Sequence, residues 1–401
     1  RSPIAGLAAG GRWLNQHESR MGCNCSRPAP QLPNNEKGRK IKKCGQTDGA
    51  GFVCFHPSGR YLATARKNEL RFFKIPSLER RNFPKKERKG KRGMRRKKNG
   101  HTALICCAQF AKKTSMIVTG SADKTLKTWD LETGKVLMTF EGHTEWVSSV
   151  CFGIDDTVLY SGSWDATIRM WNANTGEILH TLWGHSEPIR SVAYMPPINE
   201  IKMKLIDSNI DPKDKGGYIV SASDDKTVKI WDPVEEKQIV SLPGDEGFLS
   251  CVVEQNPEMG LPRIAVSTDN GRIYFFDSQH GLGHYRHQLR NTHDHKDNSM
   301  IRKIAYHWDS KKEIHKLASI SDDGTLRVSQ VWENPLMKSA RKKGEKKSIK
   351  ENKTNDYQII QTEMPNYNCS FSHDGKYLAV VTNTDRNTLQ LYTDSVEMED
   401  V

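Results

Sequence analysis

Apolar residues along the chain fall in short runs that alternate with polar residues, and turn-forming residues separate the runs. Examples are RYLATA at 60–65, WVSSVCF at 146–152 and VLYSGS at 158–163, with turn signals such as HPSG at 56–59 between such runs. Alternation over about four to eight residues is typical of a strand with one buried face. No apolar run approaches the roughly 18 residues that a membrane-spanning helix needs. The pattern predicts an all-β protein built from many short strands.

A repeat of fixed length organises the middle of the chain. The pair Gly-His occurs at 100–101, 142–143 and 184–185, so that the histidines are 42 residues apart both times. An aspartate precedes a tryptophan by six residues in three places, DKTLKTW at 123–129, DATIRMW at 165–171 and DKTVKIW at 225–231. A period in the low forties predicts a propeller blade, which is a four-stranded sheet whose faces are covered by its neighbours.

These three units resemble WD40 repeats, and the resemblance implies a WD40-type β-propeller. Four weaker units complete a count of seven blades: Phe73 stands at the tryptophan position of the first blade, Asn270 and Phe276 replace the two anchors of the fifth, and the sixth keeps Asp323 but has Ser329. The seventh unit lacks a fourth strand, which the segment KIKKC at 40–44 can supply. We therefore expect a seven-bladed ring closed by an N-terminal strand.

The predicted domain organisation has three parts. Residues 1–20 show no strand alternation and are expected to be leader or fragment sequence, and residues 21–39 an N-terminal arm that is disordered and carries a lipidation motif. Residues 40–396 form the propeller. Three inserts interrupt it, at 79–99 and 337–354, which are basic, and at 196–217 in the fourth blade.

In WD40 proteins a His, a Ser or Thr, an Asp and the Trp of each repeat form a buried hydrogen-bonded tetrad. Carried over to this chain, the resemblance implies three tetrads: His101, Thr119, Asp123 and Trp129; His143, Ser161, Asp165 and Trp171; His185, Ser221, Asp225 and Trp231. Asp, His and Ser could also form a hydrolase triad. The set occurs three times at equal spacing, whereas catalysis needs one activated nucleophile. We interpret the tetrads as structural clamps and expect no catalytic residue.

Neither the cysteines nor the histidines indicate a metal or cofactor. The nine cysteines form no CxxC pair, and five of them (Cys54, Cys107, Cys151, Cys251 and Cys369) fall in predicted first strands. They are typical of small core residues in a reducing compartment. Residues 280–295 contain five histidines, which we interpret as an exposed connection after the fifth blade rather than a metal site. No phosphate-binding G-x-x-x-x-G-K-[ST] motif is present, so we expect no cofactor.

The first methionine, Met21, opens the sequence MGCNCS. This fits the motif for N-myristoylation at Gly22, with Cys23 and Cys25 as candidates for palmitoylation. One myristoyl chain binds membranes only weakly, so that a second acyl chain or a basic patch must add to it. The interpretation requires Gly22 to become the amino terminus. The alternative is a coincidental match inside a disordered tail.

The formal charge of +13 is concentrated in two segments. Residues 80–98 hold twelve Lys or Arg and one Glu, a net +11, and residues 338–353 hold eight and two, a net +6, which leaves about −4 for the rest. The candidate contacts for an acidic partner are Arg80, Arg81, Lys85, Lys86, Arg88, Lys89, Lys91, Arg92, Arg95, Arg96, Lys97, Lys98, Arg341, Lys342, Lys343, Lys346 and Lys347. Anionic lipid, RNA or ribosomal phosphate, and a nuclear import receptor all fit, as does a solvated loop. We place the second segment between blades six and seven.

Together these features predict a non-catalytic scaffold that is monomeric outside complexes. The resemblance implies that other proteins or peptides bind the top face of the propeller, where the Asp and Gly-His loops meet the channel. Acylation and the basic segments predict a location at a cytoplasmic membrane surface. The alternative is a soluble nuclear or ribosome-associated protein that binds RNA through the same basic segments.

Overall fold

In the described residues all regular structure is β-strand. A computed structural model describes residues 41–48, 51–81, 100–196, 217–253, 263–278, 285–289, 299–309, 314–331, 357–362, 364–382 and 387–394. The predicted leader at 1–20, the arm at 21–39 and the blade-four insert lie outside these ranges or almost entirely so, and their assignments stay predictions.

The strands form seven antiparallel sheets, which we call blades 1 to 7. Blade 7 begins with the first strand of the chain, β1 (Ile41–Asp48), and blade 1 contains β2 (Val53–Phe55), β3 (Tyr61–Arg66) and β4 (Glu69–Lys74). Blade 2 contains β5 (Ile105–Phe110), β6 (Met116–Ser121), β7 (Leu126–Asp130) and β8 (Val136–Phe140). Blade 3 contains β9 (Val147–Phe152), β10 (Val158–Ser163), β11 (Ile168–Asn172) and β12 (Ile178–Leu182). Blade 4 contains β13 (Ile189–Met195), β14 (Tyr218–Ser223), β15 (Thr227–Asp232) and β16 (Lys237–Pro243).

The later blades repeat this order. Blade 5 contains β17 (Phe248–Val253), β18 (Ile264–Thr268), β19 (Ile273–Ser278) and β20 (Tyr285–Leu289). Blade 6 contains β21 (Ile301–Asp309), β22 (Ile314–Ser321), β23 (Thr325–Val331) and β24 (Tyr357–Gln361). Blade 7 is completed by β25 (Asn366–Phe371), β26 (Tyr377–Thr382) and β27 (Thr388–Asp394). The prediction of a seven-bladed, all-β propeller is confirmed.

The ring is closed by its two ends, as predicted. Strand β1 pairs antiparallel with β27, from Ile41 opposite Asp394 to Asp48 opposite Thr388, and so becomes the outer strand of blade 7. The pairing is longer than the segment 40–44 expected from sequence. Without β1, the outer edge of β27 would expose its backbone donors and acceptors, and β1 pairs with that edge to complete the four-stranded sheet.

One apolar cluster fills each of the seven interfaces between neighbouring blades. Between blades 2 and 3, for example, Leu126 and Phe140 pack against Val147 and Trp171, and none of the four is measurably exposed. Burying a side chain of this size stabilises the fold by roughly 1.5–3 kcal/mol. The ring is therefore held together by contacts between blades, as the repeat pattern requires.

The two faces of the ring differ in the turns that they carry. One face, here the His face, carries the Gly-His turns and the turns between second and third strands. The opposite face carries the turns between first and second strands. There the buried carboxylate of Asp156, in blade 3, accepts the backbone N–H groups of Lys112 (3.1 Å) and Thr114 (3.2 Å) from blade 2. This contact places equivalent turns of neighbouring blades on the same face.

Two positional predictions are wrong. The basic segment 338–353 does not join blades 6 and 7, because β24 follows it and pairs with β23 inside blade 6. The histidine-rich segment 280–295 is not simply a connection, because Tyr285–Leu289 forms the outer strand of blade 5. In both cases the outer strand of a blade carries too many polar residues to be recognised from apolar alternation.

Candidate functional site

The four residues of each predicted tetrad meet in the structure. In blade 2, His101 Nδ1 lies 2.8 Å from Asp123 Oδ2, and His101 Nε2 lies 2.8 Å from Thr119 Oγ1. The indole N–H of Trp129 donates to the same hydroxyl at 2.8 Å. A carboxylate only accepts, so the imidazole donates from Nδ1 and the threonine hydroxyl donates to Nε2. Every polar atom of this group has a partner.

Blades 3 and 4 repeat the arrangement. In blade 3, His143 lies 2.7 Å from Asp165 and 2.7 Å from Ser161. In blade 4, His185 lies 2.6 Å from Asp225 and 2.7 Å from Ser221. Trp171 and Trp231 each donate to the serine of their blade at 2.8 Å. The glycine before the histidine is needed, since Gly184 has φ +144° and a Cβ there would lie 3.2 Å from the Trp231 ring.

The electrostatics of the tetrads favour fixed protonation states. Burial opposes ionisation of Asp165, but hydrogen bonds from His143, Thr167 and the Thr144 N–H outweigh it and hold the pKa of the carboxyl well below its usual range. Burial lowers the pKa of His143, against the opposing effect of Asp165. The imidazole is therefore neutral and the carboxylate ionised at neutral pH. Asp123 and Asp225 have lowered pKa values through the same bonds, again against burial.

The tetrad of blade 3 has the connectivity of a hydrolase triad, yet its hydroxyl cannot reach a substrate. Ser161 Oγ contacts His143 Nε2, and His143 Nδ1 contacts Asp165, but Ser161 is 0 % exposed and its oxygen already accepts the Trp171 N–H. Thr119 and Ser221 are equally buried. A nucleophile needs an open approach and an adjacent oxyanion site. The geometry is that of a clamp between two turns and the sheet.

A fifth residue belongs to each clamp, and the sequence analysis missed it. The hydroxyls of Thr125, Thr167 and Thr227 donate to the second carboxylate oxygen of their blade at 2.7, 2.6 and 2.6 Å. Blade 6 keeps this bond, from Thr325 to Asp323 at 2.6 Å, although Ser329 stands at its tryptophan position. The signal was a threonine two residues after every one of these aspartates.

Half-exposed side chains form a ladder on the His face, at the mouth of the central channel. The rings of Trp146 and Trp164 stack with centroids 4.6 Å apart and planes 21° apart. The guanidinium of Arg190, from blade 4, lies 4.8 Å from the Trp164 ring centroid. Asp224 binds the same guanidinium through two oxygens, at 2.8 Å to Nε and 2.5 Å to Nη2. We call these four residues the Trp-Arg ladder.

In blades 5 and 6 we compare the residues at the positions of Arg190 and Asp224. Arg302 and Asp322 of blade 6 form a pair like that of Arg190 and Asp224, with a contact of 2.9 Å, and Arg302 also lies 5.0 Å from the Tyr367 ring centroid. In blade 5 the arginine position holds Leu249, beside Asp269. Burial, Glu246 and Asp224 raise the pKa of Asp269. The channel mouth thus carries paired charges on blades 4 and 6, and between them blade 5 has a carboxylate, Asp269, with Leu249 at the arginine position.

The predicted contacts for an acidic partner are only partly described. Arg80 forms an ion pair with Glu69 at 2.7 Å, and the Arg81 guanidinium lies 5.0 Å from the Tyr61 ring centroid. The other basic residues proposed above, and Gly22, Cys23 and Cys25, lie outside the described residues. Arg80 also bridges Phe73, so the start of the first basic segment lies at the outer edge of blade 1.

Five of the described cysteines are uncharged thiols in the blade interfaces. Burial raises the pKa of Cys54, Cys107 and Cys151, and it raises the pKa of Cys251 to about 11 and of Cys369 to about 12. Such thiols are weak nucleophiles and poor metal ligands. Within the described ranges no three His, Cys, Asp or Glu residues are arranged to hold a metal ion. Nor do these residues contain a helix long and apolar enough to span a membrane.

Comparison with known proteins agrees with this architecture. The family model described as WD40, "WD domain, G-beta repeat", matches residues 94–130, 134–172 and 208–232. A segment of 43 residues is 44 % identical to "Eukaryotic translation initiation factor 3 subunit I" of Danio rerio, which covers 11 % of this chain and 13 % of that protein. The chain therefore contains WD40 repeats within a closed, seven-bladed β-propeller.

Proposed function

We propose that this propeller is a non-catalytic scaffold that binds a partner protein through the Trp-Arg ladder on its His face. WD40 propellers generally mediate protein interactions, and the observation that carries the proposal is the exposure of the ladder. Arg190 and Asp224 are 32 % and 27 % exposed, whereas the histidines of the tetrads have side chains that are 0 % exposed. Tryptophan and arginine are the residues that most often dominate binding energy in interfaces.

The ladder is organised before any partner arrives. Asp224 holds Arg190 by two charge-assisted hydrogen bonds, and Arg190 in turn covers one face of Trp164. Because these side chains are already ordered, a partner loses less conformational entropy when it binds them. The arrangement suits an extended peptide that lies across the mouth of the channel and places apolar groups on the indole rings.

Matched tryptophan variants test this proposal. Trp164→Ala and Arg190→Ala are expected to remove the same set of partners from a quantitative affinity purification. Trp183→Ala, which truncates an indole that is 71 % exposed outside the ladder, should retain them. Melting temperatures establish that each variant is folded. Retention of every partner by Trp164→Ala would contradict the proposal.

Anchoring at a cytoplasmic membrane surface is a further part of the proposed function. Its support is the MGCNCS sequence, with Gly22, Cys23 and Cys25, together with the basic segments that could add to acyl binding. Expression from Met21 with and without Gly22→Ala, followed by cell fractionation, tests it. We expect the glycine protein in the membrane fraction and the alanine variant in the soluble fraction. An equal soluble distribution of the two would rule out the anchor.

Association with a translation complex is a second candidate. It is favoured by the 43-residue similarity to a subunit of translation initiation factor 3 and by the net +11 of residues 80–98. Cosedimentation with ribosomal subunits in a sucrose gradient is expected to persist in Gly22→Ala and to disappear when the basic residues of 85–98 are changed to glutamine. Salt sensitivity alone does not separate RNA from anionic lipid, since both bind through counterion release.

A further inference from the structure

A cavity of about 230 Å³ opens between blades 1 and 2, away from the His face. Its walls include Tyr61, Phe72 and Arg81 from blade 1 and Phe110 and Leu131 from blade 2. His56 lies in the turn after β2 and Ser115 in the turn before β6, so that the cavity opens on the face of Asp156. It is separate from the Trp-Arg ladder and from all three tetrads.

Aromatic rings set edge to face give the cavity a fixed shape. The His56 ring meets Phe110 with centroids 5.0 Å apart and planes at 80°, and it meets Tyr61 at 6.3 Å and 86°. The ring of Phe72 lies 6.2 Å from that of Phe110. Burial and the nearby Arg81 lower the pKa of His56, so that its ring is neutral at pH 7. The aromatic rings and Leu131 make most of the lining apolar, and the guanidinium of Arg81 lies over the Tyr61 ring.

The interface between blades 2 and 3 shows why the one between blades 1 and 2 contains a cavity. Between blades 2 and 3, Met116 and Met138 pack against the core cluster that contains Trp171. In blade 1 the residue that matches Met116 is Tyr61, and the outer edge carries Arg81, whose guanidinium turns onto that ring. A flexible thioether fills an irregular gap that a tyrosine and an arginine leave empty. The cavity follows from these two residues.

The turns around the cavity carry a positive charge. The four turns at 56–60, 74–81, 111–115 and 131–135 hold seven Lys or Arg and two Glu, and four carboxylates that interact with these turns (Glu69, Asp130, Asp155 and Asp156) reduce the net charge from +5 to +1. The basic segment that continues to residue 98 begins at this rim, at Arg80 and Arg81. Glu132 is the carboxylate among the lining residues. The surroundings favour an acidic partner over a basic one.

We propose that this cavity binds one bulky apolar side chain of an acidic peptide segment in a partner protein. The side chain inserts between Tyr61 and Phe110, and carboxylates on either side of it in the peptide pair with Arg81 and the lysines of the neighbouring turn. The cavity volume of about 230 Å³ suits one side chain rather than a drug-sized ligand, whose sites measure roughly 300–1,000 Å³. The proposal does not depend on the ladder or on a membrane anchor.

Fluorescence polarisation with synthetic peptides tests the proposal on the full chain. The probe is a labelled nine-residue peptide with four glutamates on each side of a phenylalanine, compared with the same peptide with a central alanine. We expect the phenylalanine peptide to bind at least about tenfold more tightly, because one aromatic side chain becomes buried. Equal affinity for the two peptides would show charge attraction alone and overturn the proposal.

Two pairs of variants locate the binding. Ser115→Trp fills the cavity from its exposed rim, and its control is Thr157→Trp, at the matching exposed position of blade 3. Arg81→Glu changes the charge at the rim, and its control is Arg60→Glu on the exposed turn beside it. We expect the preference for phenylalanine to fall below about threefold in Ser115→Trp and to persist in Thr157→Trp, while Arg81→Glu weakens the binding of both peptides more than Arg60→Glu does. A preference that survives Ser115→Trp would contradict the proposed cavity.

Two other occupants would give different results. If unlabelled oligouridylate displaces the phenylalanine peptide and its own binding is lost in Ser115→Trp, the cavity binds a nucleic-acid base and the proposal is wrong. If the preference for phenylalanine appears only after residues 82–98 are deleted, the chain's own basic segment fills the cavity, and the proposal is also wrong. Melting temperatures establish that each variant is folded.

Discussion

Asp165 shows what a single tetrad residue contributes to stability. Its carboxylate accepts hydrogen bonds from His143, Thr167 and the Thr144 backbone. Asp165→Asn keeps the shape but removes the charge and turns an amide group toward donors. We expect the free energy of unfolding to fall by about 2–4 kcal/mol. Asp155→Asn, at an exposed turn position, should cost less than about 1 kcal/mol. Urea unfolding measures both, and equal losses would contradict the clamp.

Two buried histidines predict how stability depends on pH. Burial lowers the pKa of His143, and burial together with Arg263 lowers the pKa of His315 to about 4. The unfolded chain, with a histidine pKa near 6.5, therefore binds protons first as the pH falls. Stability is fully present above about pH 6.5 and decreases toward pH 4, by up to about 1.4 kcal/mol per pH unit for each histidine.

His315→Gln is expected to flatten this acid dependence by up to about one proton. Urea unfolding at pH 7, 6 and 5 measures the slope. The control is His373→Gln, which removes an exposed histidine. An unchanged slope in His315→Gln would contradict the role of burial. The tetrad carboxylates add a second loss below about pH 4, because their folded pKa values are lowered and they must be protonated there.

Among individual residues, the sequence predicted the contacts that recur in several blades but not the contacts that occur only once. The tetrads were predictable from the resemblance to WD40 repeats, which His, Asp and Trp carry at a regular period. The stack of Trp146 on Trp164 was not, because it depends on how two turns of one blade approach each other. The cavity beside Tyr61 was missed for a related reason. It exists because Tyr61 and Arg81 stand where blade 2 has two packed methionines, and a sequence pattern gives no sign of an unfilled space.

The element that should control ring closure is strand β1. Deletion of residues 41–48 leaves β27 paired only with β26, opens its other edge and exposes Leu389 and Leu391, which are fully buried. We expect the melting temperature to fall by several degrees or more and aggregation to increase. The double variant Lys43→Ala, Gln46→Ala truncates two exposed side chains but keeps the strand, and should melt close to the original protein. A deletion variant with an unchanged melting temperature would contradict closure by β1.

The inner and outer strands of the blades differ in how well the sequence predicts them. Inner strands were recognised because both of their faces are buried and their residues are apolar, as in VSSVCF of β9. Outer strands such as β12 and β16 are half exposed, and YRHQL of β20 and YQIIQ of β24 carry polar residues at several positions. Because β24 was not recognised, the basic segment 338–353 was predicted to join blades 6 and 7, although it lies between two strands of blade 6. The N-terminal strand was found because the seventh unit was one strand short, which is an argument from topology.

For the whole molecule, the sequence period predicted the count of blades, while stability depends on the interfaces between them. Each of the seven interfaces holds one apolar cluster, including the one between blades 7 and 1 that β1 completes. An open array of repeats can unfold from its ends, but a closed ring has none. The charge of the whole chain was less informative, because most of it lies in two segments inserted into otherwise regular blades.

A closed ring of this kind is expected to unfold in one cooperative transition, wherever it is weakened. Leu126→Ala removes a buried side chain between blades 2 and 3, and Leu326→Ala one between blades 6 and 7. Each should lower the free energy of unfolding by about 2–5 kcal/mol. Leu137→Ala, at a side chain that is 50 % exposed, should cost less than about 1 kcal/mol.

Two spectroscopic probes decide whether the blades unfold together. Six of the seven described tryptophans lie in blades 2 to 4, so fluorescence reports mainly on that part of the ring, whereas far-ultraviolet circular dichroism reports on every blade. Coincident urea transitions are expected for both variants, since loss of one interface opens the whole ring. If Leu326→Ala instead shifts the circular dichroism transition and leaves the fluorescence transition in place, blades 2 to 4 fold independently. The contacts between blades would then stabilise separate segments and not a single cooperative ring.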